Sequence, residues 1–316
     1  MTQRNIPVTV SAVERGDALY PEKMKQLTSM PQTLYYAGSL PDGGVPSVAI
    51  VGARLCSPYG RDTAYEFGRI LAREGVQIIS GMAAGIDGYA QTGALDAGGR
   101  SFAVLGSGVD ICYPRSNGTL YRRLLKEGGI LSEQPPGTKP YPYHFPSRNR
   151  IISALADLVL IVEAKSRSGS LITVDFALSQ GRTVFAVPGR VGDLLSDGCN
   201  YLIAQGAGIA WSPDAILQEL KIMEDQGLFP KKQRLREKRE RQHLMDSFAR
   251  DDVSDDAKKV LACLSDAAPC SADALAEASA LPVPRLLAAL DELCELHLAE
   301  EQTKGRFIRS GTGPLS

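Results

Sequence analysis

The chain has 316 residues, which is enough for one large domain and one small one. Hydrophobic residues make up 44% and charged residues 22%, which is typical of a globular protein and excludes a fibrous or largely disordered chain. The formal net charge is −1 at pH 7, so any site for a polyanion depends on local clusters of Lys and Arg.

The first 220 residues divide into a lead-in and a repeating pattern. Residues 1–47 form an N-terminal lead-in segment with one short predicted helix, Pro21–Met30, and an extended stretch, Pro31–Gly38. From residue 48 to 220, short apolar runs alternate with segments of helix length. The apolar runs are Val48–Val51, Val76–Ile79, Phe102–Leu105, Ile130–Leu131, Leu158–Val162, Val184–Val187 and Gly208–Trp211. The helical segments are Tyr59–Arg73, Ile86–Ala97, Gly118–Lys126, Arg148–Ala156, Leu171–Gln180, Tyr201–Ala204 and 213–220.

This alternation predicts the fold class. Most of the apolar runs are short, β-branched and without two-residue alternation, as expected for strands that are buried on both faces. Strands that alternate with helices form mainly parallel sheets with helices on both sides. The sequence therefore predicts an α/β fold in which residues 48–220 form an extended Rossmann-like, doubly wound, mainly parallel sheet.

A charged linker and a small domain follow. Residues 221–253 form the predicted linker, whose segment KKQRLREKRER at 231–241 holds seven basic and two acidic residues and cannot bury a core. Residues 254–310 contain three predicted helices and a hairpin with its turn at Lys304–Gly305, a pattern that predicts a C-terminal winged-helix domain. The three helices are Asp255–Leu264, Ala272–Ala278 and Pro284–His297.

The charge of this small domain opposes DNA reading. From residue 254 to 316 there are six basic and ten acidic residues, a net charge of about −4. Its third predicted helix carries Asp291, Glu292 and Glu295, which phosphates would repel. We therefore favour a protein-contact role for the winged helix.

Four glycine-containing loops follow predicted strands of the large domain. Loops at the carboxyl ends of parallel strands meet at one edge of the sheet, where ligands bind. Glycines let the backbone approach a phosphate, helix starts offer N–H groups, and Arg54 adds a guanidinium. The alternative is that each glycine only completes a tight turn. The loop residues predicted to hold phosphate are Gly52, Arg54, Gly81, Gly85, Gly106, Gly108, Ser168, Gly169 and Ser170.

The loops do not match the patterns of nucleotide cofactors. The first loop reads GARLCSPYG, which is not GxGxxG, and no Walker loop GxxxxGK[ST] is present. We therefore predict no cofactor.

The segment YPYHFPSRNR at 141–150 indicates the kind of ligand. Aromatic residues and prolines run directly into Arg148 and Arg150, and unpaired bases need flat rings beside phosphate-binding cations. Phe145 is the predicted stacking ring, and Asn149 lies at the predicted helix start. In the alternative interpretation, Phe145 and Tyr143 seal the loop as core residues, Arg148 or Arg150 forms an internal ion pair, and Asn149 caps the helix.

Six longer motifs in this order resemble the DprA/Smf family of DNA-processing proteins. They cover about 160 residues and read VAIVGAR (48–54), ISGMAAGID (79–87), AVLGSGVDICYPRSN (103–117), FPSRNRIISAL (145–155), EAKSRSGSLITVDFALSQGRTVFAVPG (163–189) and GCNYLIAQGA (198–207). The resemblance implies an extended Rossmann fold, sequence-independent binding of single-stranded DNA, homodimers, and loading of the RecA recombinase onto DNA taken up in transformation.

The resemblance also assigns residues. It implies that Arg54 contacts phosphate, that Arg115 of YPRSN is a basic DNA contact, and that Phe145 stacks on a base. Arg148 and Arg150 would steady the pocket, and the Ser168–Ser170 loop would bind a phosphate. The chain departs from the family in two ways. Its lead-in is shorter than the N-terminal helical domain that many members carry, and Tyr-His replaces a Lys before Phe-Pro, which leaves Lys139 as the second basic candidate.

No catalytic or metal-binding residue is predicted. His144 lies beside the predicted site, but its spacing indicates no nucleophile–His–acid arrangement, and no His, Cys or Asp cluster has metal-ligand spacing. Two interpretations are open for Asp87 and Glu163. Either the two carboxylates form a pair, or Asp87 caps or braces the 81–85 loop. The main alternative function is an enzyme that processes nucleoside monophosphates, of the lysine-decarboxylase-like group. That group carries a PGGxGT-plus-Glu motif where this chain has Ser168–Ser170.

The sequence also predicts where the protein is located and leaves a third function open. The sequence has no apolar run of 18 residues, its start lacks the features of a signal peptide, and its six cysteines include no CxxC pair. We therefore expect a cytoplasmic protein with reduced thiols and no membrane contact. A winged-helix regulator that uses the large domain as a ligand sensor is a third possibility, against which the acidic third helix argues.

Overall fold

The computed structural model describes residues 8–227, 254–264, 270–295, 299–303 and 305–309. The charged segment at 231–241 and Lys304 of the predicted turn lie outside these residues. The chain divides into two units, Met1–Lys232 and Gln233–Ser316.

The first unit is built on a nine-stranded sheet with the order β1-β2-β6-β5-β4-β3-β7-β8-β9. All neighbours from β6 to β9 pair in parallel, whereas β1 and β2 are antiparallel at one edge. The doubly wound, mainly parallel sheet is thus confirmed, and the lead-in contributes two strands to it. The strands are β1 Ser11–Glu14, β2 Thr33–Gly38, β3 Ser47–Val51, β4 Gln77–Ser80, β5 Ser101–Val104, β6 Gly129–Ser132, β7 Leu158–Ile161, β8 Thr183–Ala186 and β9 Gly208–Ile209.

The described part of this unit has eight α-helices, of which seven connect strands and the last follows β9. They are α1 Glu22–Lys25, α2 Pro58–Arg73, α3 Ile86–Asp96, α4 Gly118–Glu127, α5 His144–Leu155, α6 Leu171–Ser179, α7 Asp197–Ala204 and α8 Pro213–Asp225. Helix α5 begins four residues before its predicted start at Arg148, because Pro146 lies in the first turn, where a missing N–H costs no hydrogen bond.

Alternate residues of the central strands face two separate apolar layers. Val48 and Ile50 pack with residues of α2, α3 and α8, whereas Ala49 and Val51 pack with residues of α5, α6 and α7. Both faces of β3 are therefore buried, which explains why its sequence shows no polar alternation.

Helices α2 and α3 pack closely enough to require glycine at their contact. A methyl group at Gly68 would lie 2.1 Å from the carbonyl oxygen of Ala90. Since a backbone carbonyl cannot move without shifting its helix, we expect Gly68→Ala to lower the free energy of unfolding by about 1–3 kcal/mol, measured by urea denaturation.

Gly118→Ala is the matched control for this prediction. Gly118 is the first residue of α4 and has helical φ, and a methyl group added there would lie 3.9 Å from its nearest neighbour, an Arg122 nitrogen. This variant is expected to keep or slightly raise stability because alanine restricts the unfolded chain. Equal stability of the two variants would contradict the close helix contact.

The second unit is a winged helix, as predicted. Its helices are α9 Asp255–Cys263, α10 Ala272–Ser279 and α11 Val283–Glu295, and its strands β10 Cys270–Ser271, β11 Ala299–Thr303 and β12 Arg306–Arg309 form an antiparallel sheet of order β10-β12-β11. Leu261, Leu286 and Leu290 lie in its core. The Arg285 guanidinium forms an ion pair with Asp256 at 2.6 Å, so this cation of α11 is already engaged.

Candidate nucleic-acid interface

A cavity of about 570 Å³ opens where the order in which the chain adds strands to the sheet reverses. Strands β3 and β7 lie side by side, and the chain continues from β3 toward β4 on one side and from β7 toward β8 on the other. The carboxyl ends of strands at such a reversal leave a crevice between the outgoing loops. The cavity is therefore a consequence of the sheet topology.

Six segments line this cavity: the loop after β3, the residues around the start of α3, Tyr113 in the loop before α4, the residues around the start of α5, the β7–α6 loop and the approach to α7. The structure brings together eight of the predicted site residues there. These are Gly52, Arg54, Phe145, Arg148, Asn149, Ser168, Gly169 and Ser170.

Phe145 and Arg54 form one wall of the cavity. The Phe145 ring is half-buried, and the Arg54 guanidinium carbon lies 5.4 Å from its centroid. Behind the ring, a methyl group at Gly106 would lie 3.0 Å from Cδ1, so the glycine lets the ring pack against the β5 loop. The ring also borders a smaller cavity of about 130 Å³ that Gly81 helps to line. Phe145 is thus supported from behind and accessible from the cavity.

The β7–α6 loop presents small polar groups at a helix N-terminus. The Ser168 and Ser170 hydroxyls lie 2.7 Å apart, and the Ser170 N–H donates to Ser168 Oγ at 3.3 Å. Asn149 Nδ2 donates to the Gly169 carbonyl at 3.4 Å, which ties this loop to α5. Hydroxyls and backbone N–H groups at the start of a helix favour an anion.

Two cations of this loop were not predicted from the sequence. Lys165 and Arg167 are exposed and line the cavity on either side of Ser166. Among the described residues, neither they nor Arg54 takes part in an ion pair. Their signal in the sequence is the run Lys-Ser-Arg directly before Ser168–Ser170, but the prediction for this loop rested on its glycine and serines alone.

A buried Arg148 lines the cavity and holds the surrounding loops in place. Its side chain is 4% exposed and donates from Nη1 to the carbonyl oxygens of Gly81, at 2.9 Å, and Val104. Burial lowers the pKa of Arg148 to about 10, an effect that nearby Asp87 opposes and Arg54 reinforces. Arg148 therefore remains charged at neutral pH and adds to the positive potential at Arg54.

Asp87 braces the 81–85 loop, and Glu163 serves a different element. Asp87 is buried and accepts from the Gly81 N–H at 3.0 Å, and burial raises its pKa while Arg148 opposes this. The Glu163 carboxylate instead accepts from Ser57 N–H at 2.9 Å and Ser57 Oγ–H at 2.5 Å, at the start of α2. The two carboxylates therefore do not act as a pair.

The remaining predicted residues lie behind or outside the cavity lining. Gly85 has φ of +79° and packs against the Ala53 carbonyl, and Gly108 packs against Asp110. Arg150 forms an ion pair with Glu133 at 2.6 Å, which is the internal pairing that the alternative interpretation expected. Within the described residues, the exposed Arg115 and Lys139 are not among those that line the cavity.

The described residues offer neither a metal site nor a membrane span. No group of three His, Cys, Asp or Glu side chains is placed to hold a metal ion there. None of the helices in that part of the chain has both the length and the apolarity to cross a bilayer.

The fold and the site together define a class of protein: a Rossmann-like domain with a cationic, aromatic crevice at its topological switch point, followed in sequence by a winged helix. Sequence models of known families identify which one. The model described as DNA recombination-mediator protein A matches residues 11–221, and the model of the DprA winged helix domain matches residues 247–296. The chain belongs to the DprA (Smf) family.

Individual relatives agree with this assignment. The chain is 43% identical over 206 residues to DNA processing protein DprA of Streptococcus pneumoniae, covering 65% of this chain and 73% of the relative. It is 45% identical over 204 residues to protein Smf of Escherichia coli, covering 64% of this chain and 54% of that relative. The alignment with the E. coli protein thus spans about half of that protein's length.

A solved structure of DNA processing protein A from Helicobacter pylori, described for its single-stranded DNA binding mode, is similar in fold. Its TM-score is 0.61 at 30% identity, and the match covers 67% of this chain and 96% of that chain.

Proposed function

We propose that this chain binds single-stranded DNA, without sequence preference, in the cavity at the β3–β7 reversal. The observation that carries the proposal is the grouping of three cations free of ion pairs among the described residues, Arg54, Lys165 and Arg167, around the accessible Phe145 ring. Cations that track a backbone beside a ring that stacks a base are the two parts that single-strand binding needs.

Different residues of the cavity bind the phosphate and the base. Arg54 and the Ser168–Ser170 loop face the same cavity, so a phosphate there meets a guanidinium, hydroxyls and the start of α6. Phe145 stacks a splayed base, and stacking accepts every base because each has a π-face. Duplex DNA is excluded because its bases are paired and not free to enter. The H. pylori relative described for single-stranded DNA binding supports this assignment.

We infer that binding proceeds without chemistry at the strand. The two candidate carboxylates, Asp87 and Glu163, are buried and engaged by Gly81 and Ser57 respectively. Neither is free to act as a general base for a nucleotide in the cavity. This observation disfavours the enzyme that processes nucleoside monophosphates.

The cellular role that we propose follows from family membership. The protein protects incoming DNA and loads the RecA recombinase during natural transformation or recombination, as a cytoplasmic homodimer. Its acidic winged helix contacts protein rather than DNA.

Fluorescence anisotropy tests the proposal directly. A labelled oligo-dT and a duplex of equal length are titrated with the wild-type protein. We expect tighter binding of the single strand and a linear fall of log affinity with log salt, at about −0.7 per phosphate neutralised. Equal affinity for duplex, or no binding at low salt, would overturn the proposal.

Removal of the Phe145 ring gives a second prediction. Phe145→Ala is expected to weaken oligo-dT binding about tenfold, because stacking on an aromatic ring is worth about 1–3 kcal/mol per base. Phe145→Leu separates the effect of the aromatic ring from that of side-chain volume, since leucine fills much of the same space against Gly106 without a π-face. We expect it to bind oligo-dT nearly as weakly as Phe145→Ala. If Phe145→Leu binds like wild type, the ring does not stack a base.

A further inference from the structure

Two exposed tyrosines stand stacked at the border of the cavity. The Tyr141 and Tyr143 rings are 5.7 Å apart between centroids and inclined by only 9°. They are 45% and 69% exposed, which excludes for Tyr143 the role of a core residue that seals the loop. The exposed parts of the two rings present apolar area to solvent.

The loop that carries these rings is fixed at several points. The Gly137 N–H donates to the Asp110 carboxylate at 2.9 Å, and the Gly108 N–H donates to the Thr138 carbonyl at 2.9 Å. His144 meets the Tyr143 ring edge-on at 4.5 Å, and its Nδ1 lies 2.9 Å from the Gly106 carbonyl oxygen. The rings are therefore held in place by the same β5 loop that supports Phe145.

The loop connects the tyrosine pair to the cavity and to a cation. Pro140 and Pro142, which alternate with the tyrosines, line the cavity itself. Lys139, two residues before Tyr141, is exposed and forms no ion pair with any described residue. An aromatic surface and a cation thus continue the pattern of Phe145 and Arg54 beyond the cavity.

We propose that Tyr141 and Tyr143 form a second stacking platform, which receives a base of the strand as it leaves the cavity, with Lys139 at the adjoining phosphate. This inference rests on the proposed function and extends its site. Stacking suits this surface better than a protein partner does, because the rings continue an interface for nucleic acid and are flanked by a positive charge that attracts phosphate.

The test uses the full chain and oligo-dT of two lengths. Against a strand of about four nucleotides, at the lower end of the site sizes of single-strand-binding folds, Tyr143→Ala and wild type should bind equally. Against a strand of about twelve nucleotides, Tyr143→Ala should lose about fivefold or more in affinity, and Tyr143→Phe should retain it. Tyr201→Ala, an exposed tyrosine on α7 outside the cavity lining, is the matched control and should bind both strands like wild type.

An abasic scan of the longer strand distinguishes stacking from other contacts. In wild type, removal of one base outside the Phe145-sensitive position should cost about fivefold, and Tyr143→Ala should abolish that cost because base and ring act as a pair. Unchanged binding of the longer strand by Tyr143→Ala would overturn the platform and leave a protein-docking surface as its replacement. Absence of wild-type binding to either strand would instead overturn the proposed function itself.

Discussion

Replacing Arg54 with glutamate is expected to weaken single-stranded DNA binding about a hundredfold or more. The substitution removes a charge-assisted hydrogen bond to phosphate, worth about 1.5–3 kcal/mol, and places a like charge beside the same phosphate. It also removes the guanidinium that lies 5.4 Å from the Phe145 centroid. Anisotropy with oligo-dT at several salt concentrations should show a shallower salt dependence as well, because one phosphate contact is lost.

Arg73→Glu is the control for the change in net charge. Arg73 is exposed at the last residue of α2, whereas the cavity lies toward the first turn of that helix. Arg73→Glu makes the same charge change at the end of α2 that lies away from the cavity. Because salt screens charges across the length of the helix, its effect should be limited to about twofold at physiological salt. Equal loss in both variants would mean that overall charge, and not a contact at the cavity, governs binding.

The second large effect is expected on stability, at Arg148. Arg148→Met leaves the buried Asp87 without its cation and the Gly81 and Val104 carbonyls without their donor. A buried carbonyl left without its donor costs about 1–3 kcal/mol, and loss of the nearby positive charge destabilises a buried Asp87 carboxylate further. Urea denaturation followed by circular dichroism should show this loss as a lower midpoint.

A double-mutant cycle identifies the cause. Asp87→Asn keeps an acceptor for the Gly81 N–H and removes the charge, so Arg148→Met combined with Asp87→Asn should be more stable than Arg148→Met alone. Strictly additive losses would show that the two side chains are not coupled. Because Arg148 holds the 81–85 loop, DNA binding by the single variant is best measured well below its unfolding midpoint.

The two arginines are expected to affect binding in different ways. Arg54 is exposed and has no acidic partner among the described residues, so its charge is available to a ligand. Arg148 lines the same cavity, but its Nη1 hydrogen bonds go to two carbonyls. Substitution of Arg54 should therefore change affinity, whereas substitution of Arg148 should change first the shape of the loops and the stability.

The class of fold, most of the element boundaries and eight of the residues that line the cavity could be predicted from the sequence alone. Apolar runs without alternation identify strands buried on both faces, since a side chain in such a strand meets a helix layer whichever way it points. Arg54 and Ser168–Ser170 were predicted from the loops after the first and fifth predicted strands. Glycines and serines at a helix start can be recognised locally, because they allow a tight turn and cap the helix. Phe145 was predicted from its neighbours in the chain, because aromatic residues and prolines there run directly into Arg148 and Arg150.

Which charges are available to a ligand depends on the tertiary structure. Arg148 and Arg150 are two residues apart on α5, yet one is buried against Gly81 and the other is paired with Glu133. Lys165 and Arg167 line the cavity, although the run Lys-Ser-Arg before Ser168–Ser170 does not by itself show that both side chains face it. A side chain's burial and partners come from segments far away in the chain, brought together by strand order, and a local pattern of residues carries no record of that order.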